Sequence, residues 1–211
     1  MKQTPTINAP WLDELREQVI VLRHGFARTL ESGIIISGLP LGKNPDHGLT
    51  DAGRDRVAEN IRDALQQGLL QGDEAVISSP FSRTRETARI LCDALGRPHF
   101  EEDLRLRERF FGEYDRGSSE VYPGIWAMDR EDPTQSERGV ESLVAVTERL
   151  YAFFNHVRDR LKNRRLVVVT HGDPALLIRS LFLQENPGRF RDKVDIEPGA
   201  FLNLNPESQN R

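Results

Sequence analysis

The sequence predicts a three-layer, doubly wound α/β fold, with helices on both faces of a mainly parallel sheet. Three observations predict it. Short unbroken apolar runs at Val19–Leu22, Ala75–Ile77 and Leu166–Val169 read as strands buried on both faces. Amphipathic stretches between them are long enough to serve as crossover helices. Two of the runs, far apart in the chain, end in the same dipeptide, His24-Gly25 and His171-Gly172. In an open parallel sheet the carboxyl ends of the strands form the ligand crevice, so neighbouring strands would bring both imidazoles to one pocket.

Taken in order, the first run stops at Arg23-His24-Gly25, where glycine permits a sharp turn and a close backbone approach to a ligand. Thr50 or Asp51 caps a helix carrying Val57, Ile61, Ala64 and Leu65 at a 3.6-residue period until Gly68 stops it. The second strand ends at Ser78-Ser79-Pro80. From Phe81 the positions Thr84, Ala88, Leu91 and Leu95 are again helical, with Pro80 at the start and Gly96 just past the end. Asp115 to Gly139 keeps no sustained period and reads as a long functional loop or lid, with Tyr122 and Trp126 embedded in it. Leu143, Val146, Leu150, Phe153, Val157 and Leu161 then mark one face of the longest helix. After the Leu166–Val169 strand, Asp173-Pro174 supply an N-cap and a first-turn proline for another helix. Phe201–Leu204 reads as a final strand.

A chain of 211 residues suits one well-filled domain, residues 1–211, with a lid or insertion at 113–140. The net charge is −4 with basic and acidic residues interspersed, so nothing in the charge pattern calls for nucleic acid or membrane partners. No apolar run is long enough to span a bilayer, and Met1 to Trp11 lacks a signal peptide's layout; a cytoplasmic protein is expected. The single cysteine, Cys92, excludes an intramolecular disulfide and sits on an apolar helix stripe beside Leu91 and Leu95, as a buried thiol would. The sequence carries no signature of an oligomeric state.

A lone histidine at a strand end is more often structural than catalytic; two in the same context reverse that expectation. His47, His99 and His156 have no such setting. A histidine pair also suits zinc, with Asp46 or Asp173 as a third ligand. Arg23 beside His24 opposes a dication by like charge, however, and its planar fork matches phosphate oxygens. The residues therefore point to an anionic substrate, with no metal or other cofactor.

The ordered motifs make a resemblance specific. Arg23-His24-Gly25 after an apolar strand is followed by Leu49-Thr50-Asp51-Ala52-Gly53 and then by Ser78-Ser79-Pro80-Phe81-Ser82-Arg83-Thr84-Arg85-Glu86-Thr87-Ala88. Leu106-Arg107-Glu108-Arg109-Phe110-Phe111-Gly112, Glu141-Ser142 opening a helix, and Thr170-His171-Gly172 complete the series. The chain resembles the histidine phosphatase superfamily, also called phosphoglycerate mutase-like, over about residues 18 to 205.

The resemblance implies that His24 is the nucleophile that becomes phosphohistidine, which requires a neutral imidazole. Two flanking arginines favour that neutral form. Arg23 and Arg83 match the pair that grips the phosphoryl group. His171 matches the second histidine, which donates a hydrogen bond to a phosphoryl oxygen, and backbone N–H groups near Gly172 would add to that site. Arg83 is preferred over Arg85 because residues two apart on a helix point in widely different directions, and the family motif selects the same residue. Glu108 matches the segment carrying the general acid, a role that favours a raised pKa and requires Arg107 and Arg109 to point elsewhere.

Family members often follow the Arg-His-Gly motif with an acid and a hydroxyl residue, then an asparagine. Here Phe26, Ala27 and Leu30 stand in those places. Arg28 is a candidate for a second anionic group on the substrate. The segment between Gly112 and Glu141 is short for a cofactor-dependent mutase, so the reading is a phosphatase acting on a small phosphorylated metabolite. Mutase-type transfer, a noncatalytic phosphate-binding protein and a phosphoprotein phosphatase are the alternatives. Tyr122 and Trp126 favour a covered small-molecule site over the last of these.

Overall fold

The computed structural model describes residues 9–161, 164–192 and 194–204. Residues 1–8, read in the sequence as lacking a signal-peptide layout, lie outside the described residues. The strands are β1 (Val19–Arg23), β2 (Ala75–Ser78), β3 (Glu101–Glu102), β4 (Leu166–Thr170) and β5 (Phe201–Asn203). They form one sheet in the order β3-β2-β4-β1-β5, parallel except for β5 at the edge. The helices are α1 (Trp11–Leu15), α2 (Arg28–Glu31), α3 (Leu39–Gly42), α4 (Asp51–Gln66), α5 (Ser82–Ala94), α6 (Tyr122–Glu131), α7 (Leu143–Leu161) and α8 (Gly172–Phe182).

The apolar runs are continuous because both faces of the central strands are buried. In β1, Val19 and Val21 face one core while Ile20 and Leu22 face the other. In β4, Leu166 and Val168 divide from Val167 and Val169 in the same way. The first core is filled by α7 and α8 with Leu12 and Leu15 of α1, the second by Val57 and Ile61 of α4 and Ala88 and Leu91 of α5. Strand period 2 and helix period 3.6 therefore meet on each face of the sheet. Among the described residues, no helix is long and apolar enough to cross a membrane.

Thr50, not Asp51, is the cap of α4: its Oγ1 accepts from the Gly53 N–H at 3.0 Å. The segment read as a long functional loop or lid contains α6, a correction with a clear cause. Its inward positions, Ile125 and Asp129, lie one turn apart, and one of them is charged, so no apolar period marks the helix. Ile35, Phe111, Ile125 and Val140 form a third, smaller core that seats α6 among the loops around it. Cys92 is buried.

Candidate active site

The neighbouring strands β1 and β4 are in parallel register, with Arg23 opposite Thr170, so His24 and His171 leave the sheet side by side. Their ring centroids lie 5.2 Å apart in an edge-to-face arrangement, and both side chains are buried. The turn after His24 rests on α4 through two glycines. A Cβ on Gly25 would stand 2.5 Å from Val57 Cγ2, and one on Gly53 would stand 2.1 Å from the Phe26 carbonyl oxygen.

The surroundings set the tautomer of His24. His24 Nδ1 lies 2.8 Å from the Gly25 carbonyl oxygen and donates to it, which leaves the lone pair on Nε2. Arg83 Nε donates to that Nε2 at 3.1 Å. Burial first, then the Arg83 and Arg23 guanidiniums, hold His24 well below the usual imidazole range. The sequence pointed only to the arginines. On His171 the roles of the nitrogens are reversed: Nε2 lies 2.8 Å from Ser79 Oγ, and Nδ1 is buried without a hydrogen-bond partner. The Ser79 hydroxyl can donate to or accept from Nε2, and donation would place the ring proton on Nδ1. Burial, then Arg83 and His24, also push His171 well below the usual range.

Arg23 donates through Nη1 to the Ile196 carbonyl, and Arg83 through Nη2 to the Ile36 carbonyl at 3.1 Å. Arg23 Nε and Arg83 Nη1 are buried and unpaired, like His171 Nδ1. A buried donor without a partner costs about 1–3 kcal/mol. Arg23 and Arg83, which carry two of these unpaired atoms, line one cavity with His24. Gly172, the first residue of α8, lines the same cavity of about 240 Å³ with Arg23, His24, Arg83 and Glu108.

Glu108 Oε1 accepts from the Arg109 N–H at 2.9 Å, and Oε2 lies 3.7 Å from His171 Nδ1 and 3.9 Å from Arg83 Nη2. Burial, helped by the Asp173 carboxylate and opposed by Arg83, raises its pKa to about 7. The flanking arginines do point elsewhere. Arg107 pairs with Glu141 at 2.7 Å, and the fully buried Arg109 grips Asp129 of α6 through two bonds of 2.5 and 2.7 Å.

Two sequence readings change. Arg28 is not brought to the cavity: it is exposed, reaches the Pro45 carbonyl at 3.3 Å, and lines a separate groove with Phe26, Glu31 and Thr50. The short helix α2 turns Thr29 and Leu30 towards the cavity instead. Asp173 is not an N-cap, because α8 begins at Gly172 with His171 in the cap position. Its buried carboxylate instead receives Arg191 Nη2 at 2.6 Å and lies 3.5 Å from Arg109. Arg85, as expected, is on the surface, paired with Glu102 at 2.9 Å. Ser79 and Arg191 were not singled out in the sequence. Ser79 had a signal, since it stands at a strand end inside a quoted motif; Arg191 had none.

The cavity thus sets buried, unpaired guanidinium donors together with an imidazole lone pair. Residues 19–210 match the model of the histidine phosphatase superfamily (branch 1), and the chain belongs to that family. It is 30% identical over 176 residues to phosphoglycerate mutase-like protein 4 of Arabidopsis thaliana, covering 81% of this chain and 71% of that one. Among solved structures, a mycobacterial glucosyl-3-phosphoglycerate phosphatase in complex with VO3 superposes with a TM-score of 0.72 at 21% identity, covering 87% of this chain and 90% of the other. A protein described as mycobacterial hydrolase 1 gives 0.72 at 20% identity, with coverages of 87% and 86%. At those identities the likeness establishes the shared α/β fold. Family membership supports phosphoryl hydrolysis or transfer as the class of chemistry.

Proposed function

We propose that the protein is a phosphomonoesterase that hydrolyses a small phosphate ester through a phosphohistidine on His24. The observation that carries this reading is the Nε2 lone pair of His24 in a cavity also lined by Arg23 and Arg83, whose Nε and Nη1 are unpaired donors, with the His171 ring 5.2 Å from that of His24. Those donors hold the phosphoryl oxygens, and the Arg83 bond to Nε2 yields as the guanidinium turns to them. Nε2 attacks phosphorus, the P–O bond to the alcohol breaks, and Glu108 gives its proton to the departing oxygen. Glu108, now a carboxylate, takes a proton from water as that water attacks phosphohistidine. The P–N bond breaks, inorganic phosphate leaves, and His24 and Glu108 return to their starting forms. A carboxyl whose pKa is about 7 suits both halves of the cycle.

In this reading the residues of segment 113–140 that reach the cavity, Ser119, Tyr122 and Trp126, cover its leaving-group end. The second reading, transfer of the phosphoryl group to another alcohol, draws support from the likeness to phosphoglycerate mutase-like protein 4 of Arabidopsis thaliana. Incubation with 3-phosphoglycerate and 2,3-bisphosphoglycerate separates the two. Phosphate release from simple esters, faster than any isomerisation and unchanged by a metal chelator, is expected. Isomerisation faster than phosphate release would replace hydrolysis by transfer.

A further inference from the structure

We propose that Glu141, acting with Arg149, is a positioning residue for Glu108: it fixes the loop that carries this carboxyl and holds the adjacent cations off it; this rests on the reading of Glu108 as proton donor above. Residues 108–110 belong to no helix or strand, so no regular backbone ladder holds them. The ties come instead from the start of α7. Ser142 caps that helix, its Oγ accepting from the Ala145 N–H at 3.1 Å, and so sets where Glu141 stands. Glu141 Oε2 accepts from the Phe110 N–H at 3.1 Å, the Glu141 N–H donates to the Phe110 carbonyl at 2.8 Å, and the Glu141 carbonyl receives Arg109 Nε at 2.7 Å. Arg149 of α7 donates to both Glu141 carboxylate oxygens, at 2.9 and 3.2 Å, and also to the Glu108 carbonyl at 3.3 Å and to the Arg105 carbonyl. With Arg107 on Glu141 Oε1, each residue from Arg107 to Phe110 is bonded to Glu141 or Arg149, and α7 is itself seated in the core it shares with β1, β4 and α8.

The same carboxylate decides where positive charge goes. Arg107 and Arg149 both donate to Glu141 Oε1, at 2.7 and 2.9 Å, so two cations beside the loop are committed to one largely buried anion, while Arg109 is committed to Asp129. Burial opposes its charge, but Arg149, Arg107 and the Phe110 N–H hold the Glu141 carboxyl below its usual range, so it is an anion at neutral pH. Without that anion, Arg107 and Arg149 stand uncompensated near Glu108 and favour its carboxylate form, the wrong form for a proton donor. The groups that act on Glu108 directly are His171 after β4, Arg83 of α5, Arg23 of β1, Asp173 of α8 and Tyr122 of α6. A change at Glu141 alters none of these side chains.

The test compares kcat/KM for benzyl phosphate, whose alkoxide needs a proton to leave, with 4-nitrophenyl phosphate, whose phenolate leaves without one. Glu141→Gln keeps the shape of the side chain and removes its charge. It is expected to lose about tenfold on benzyl phosphate and less than about twofold on 4-nitrophenyl phosphate, each at its own pH optimum. It is also expected to move the descending limb for benzyl phosphate down by about one pH unit from about 7. Adding Arg107→Met removes one freed cation and returns the limb upward by about half of that shift. Arg149→Lys keeps the ion pair and loses the fork to the two carbonyls, so the same ester-dependent loss is expected with the limb unmoved. It carries the test if urea titration shows Glu141→Gln unfolded. Equal losses on both esters in these variants, as general structural damage gives, overturn the inference, and an unmoved limb in Glu141→Gln overturns its charge argument. Glu108→Gln is measured beside them. Ester-dependent loss in Glu108→Gln alone overturns only the positioning role, whereas equal loss on both esters in Glu108→Gln overturns the proton-donor reading itself.

Discussion

At the end of β1, His24 ties its Nδ1 to the neighbouring carbonyl and keeps Nε2 as an acceptor; at the end of β4, His171 ties Nε2 to Ser79 and leaves Nδ1 without a partner, as a donor in the proposed mechanism. The local sequences are alike, an apolar strand followed by His-Gly, and both rings are buried. In the proposed mechanism, what separates a nucleophile from a hydrogen-bond donor is which ring nitrogen the surroundings occupy. For His24 the partner lies one residue away; for His171 it is the residue just after β2, the strand on the other side of β4.

The largest expected effect breaks this contrast at its reactive side. His24→Ala lowers kcat by about 10⁴-fold or more, as loss of a covalent nucleophile does, measured as phosphate release from the best ester. Glu108→Gln comes next, at about 10²–10⁴-fold, and its pH profile identifies the role. Protonated Glu108 is the acid form, so kcat/KM falls as pH rises through about 7. Protonated His24 is inactive, and its lowered pKa places the acid limb below the ordinary imidazole range. Glu108→Gln removes the descending limb at high pH; its survival in that variant would assign the limb to another group. His171→Ala removes one donor and lowers kcat about 10²–10³-fold. The smallest effect sharpens the comparison: Ser79→Ala frees His171 Nε2 and costs about tenfold, with folding unchanged by urea titration. Loss in Ser79→Ala as deep as in His24→Ala would contradict a purely orienting role.

The strands were legible because each central one is buried on both faces and so reads as an unbroken apolar run. The helices α4, α5 and α7 were legible by period. What stayed hidden depends on contacts distant in the chain. β3 is a two-residue edge defined by pairing with β2. α6 turns a charged residue, Asp129, inward to meet Arg109 from a loop twenty residues earlier. Asp173 has the sequence setting of a helix cap and becomes a buried partner of Arg191 instead, because His171 takes the cap position. In the site, His24, Arg23, Arg83, His171 and Glu108 were all marked by ordered motifs and are brought together. The apolar lining was marked only in part, by Tyr122, Trp126 and the motif that holds Phe111, since Leu30, Ile34 and Ile36 reach the cavity from a separate segment with no motif of its own.

The most direct measurement is the chemical identity of the trapped intermediate. The protein is mixed with a labelled ester, quenched in alkali, where phosphohistidine survives, digested and mapped. The account predicts label on His24, attached at Nε2, appearing and decaying fast enough to support steady-state phosphate release. Label on His171, or turnover with no phosphohistidine on the chain, would contradict it.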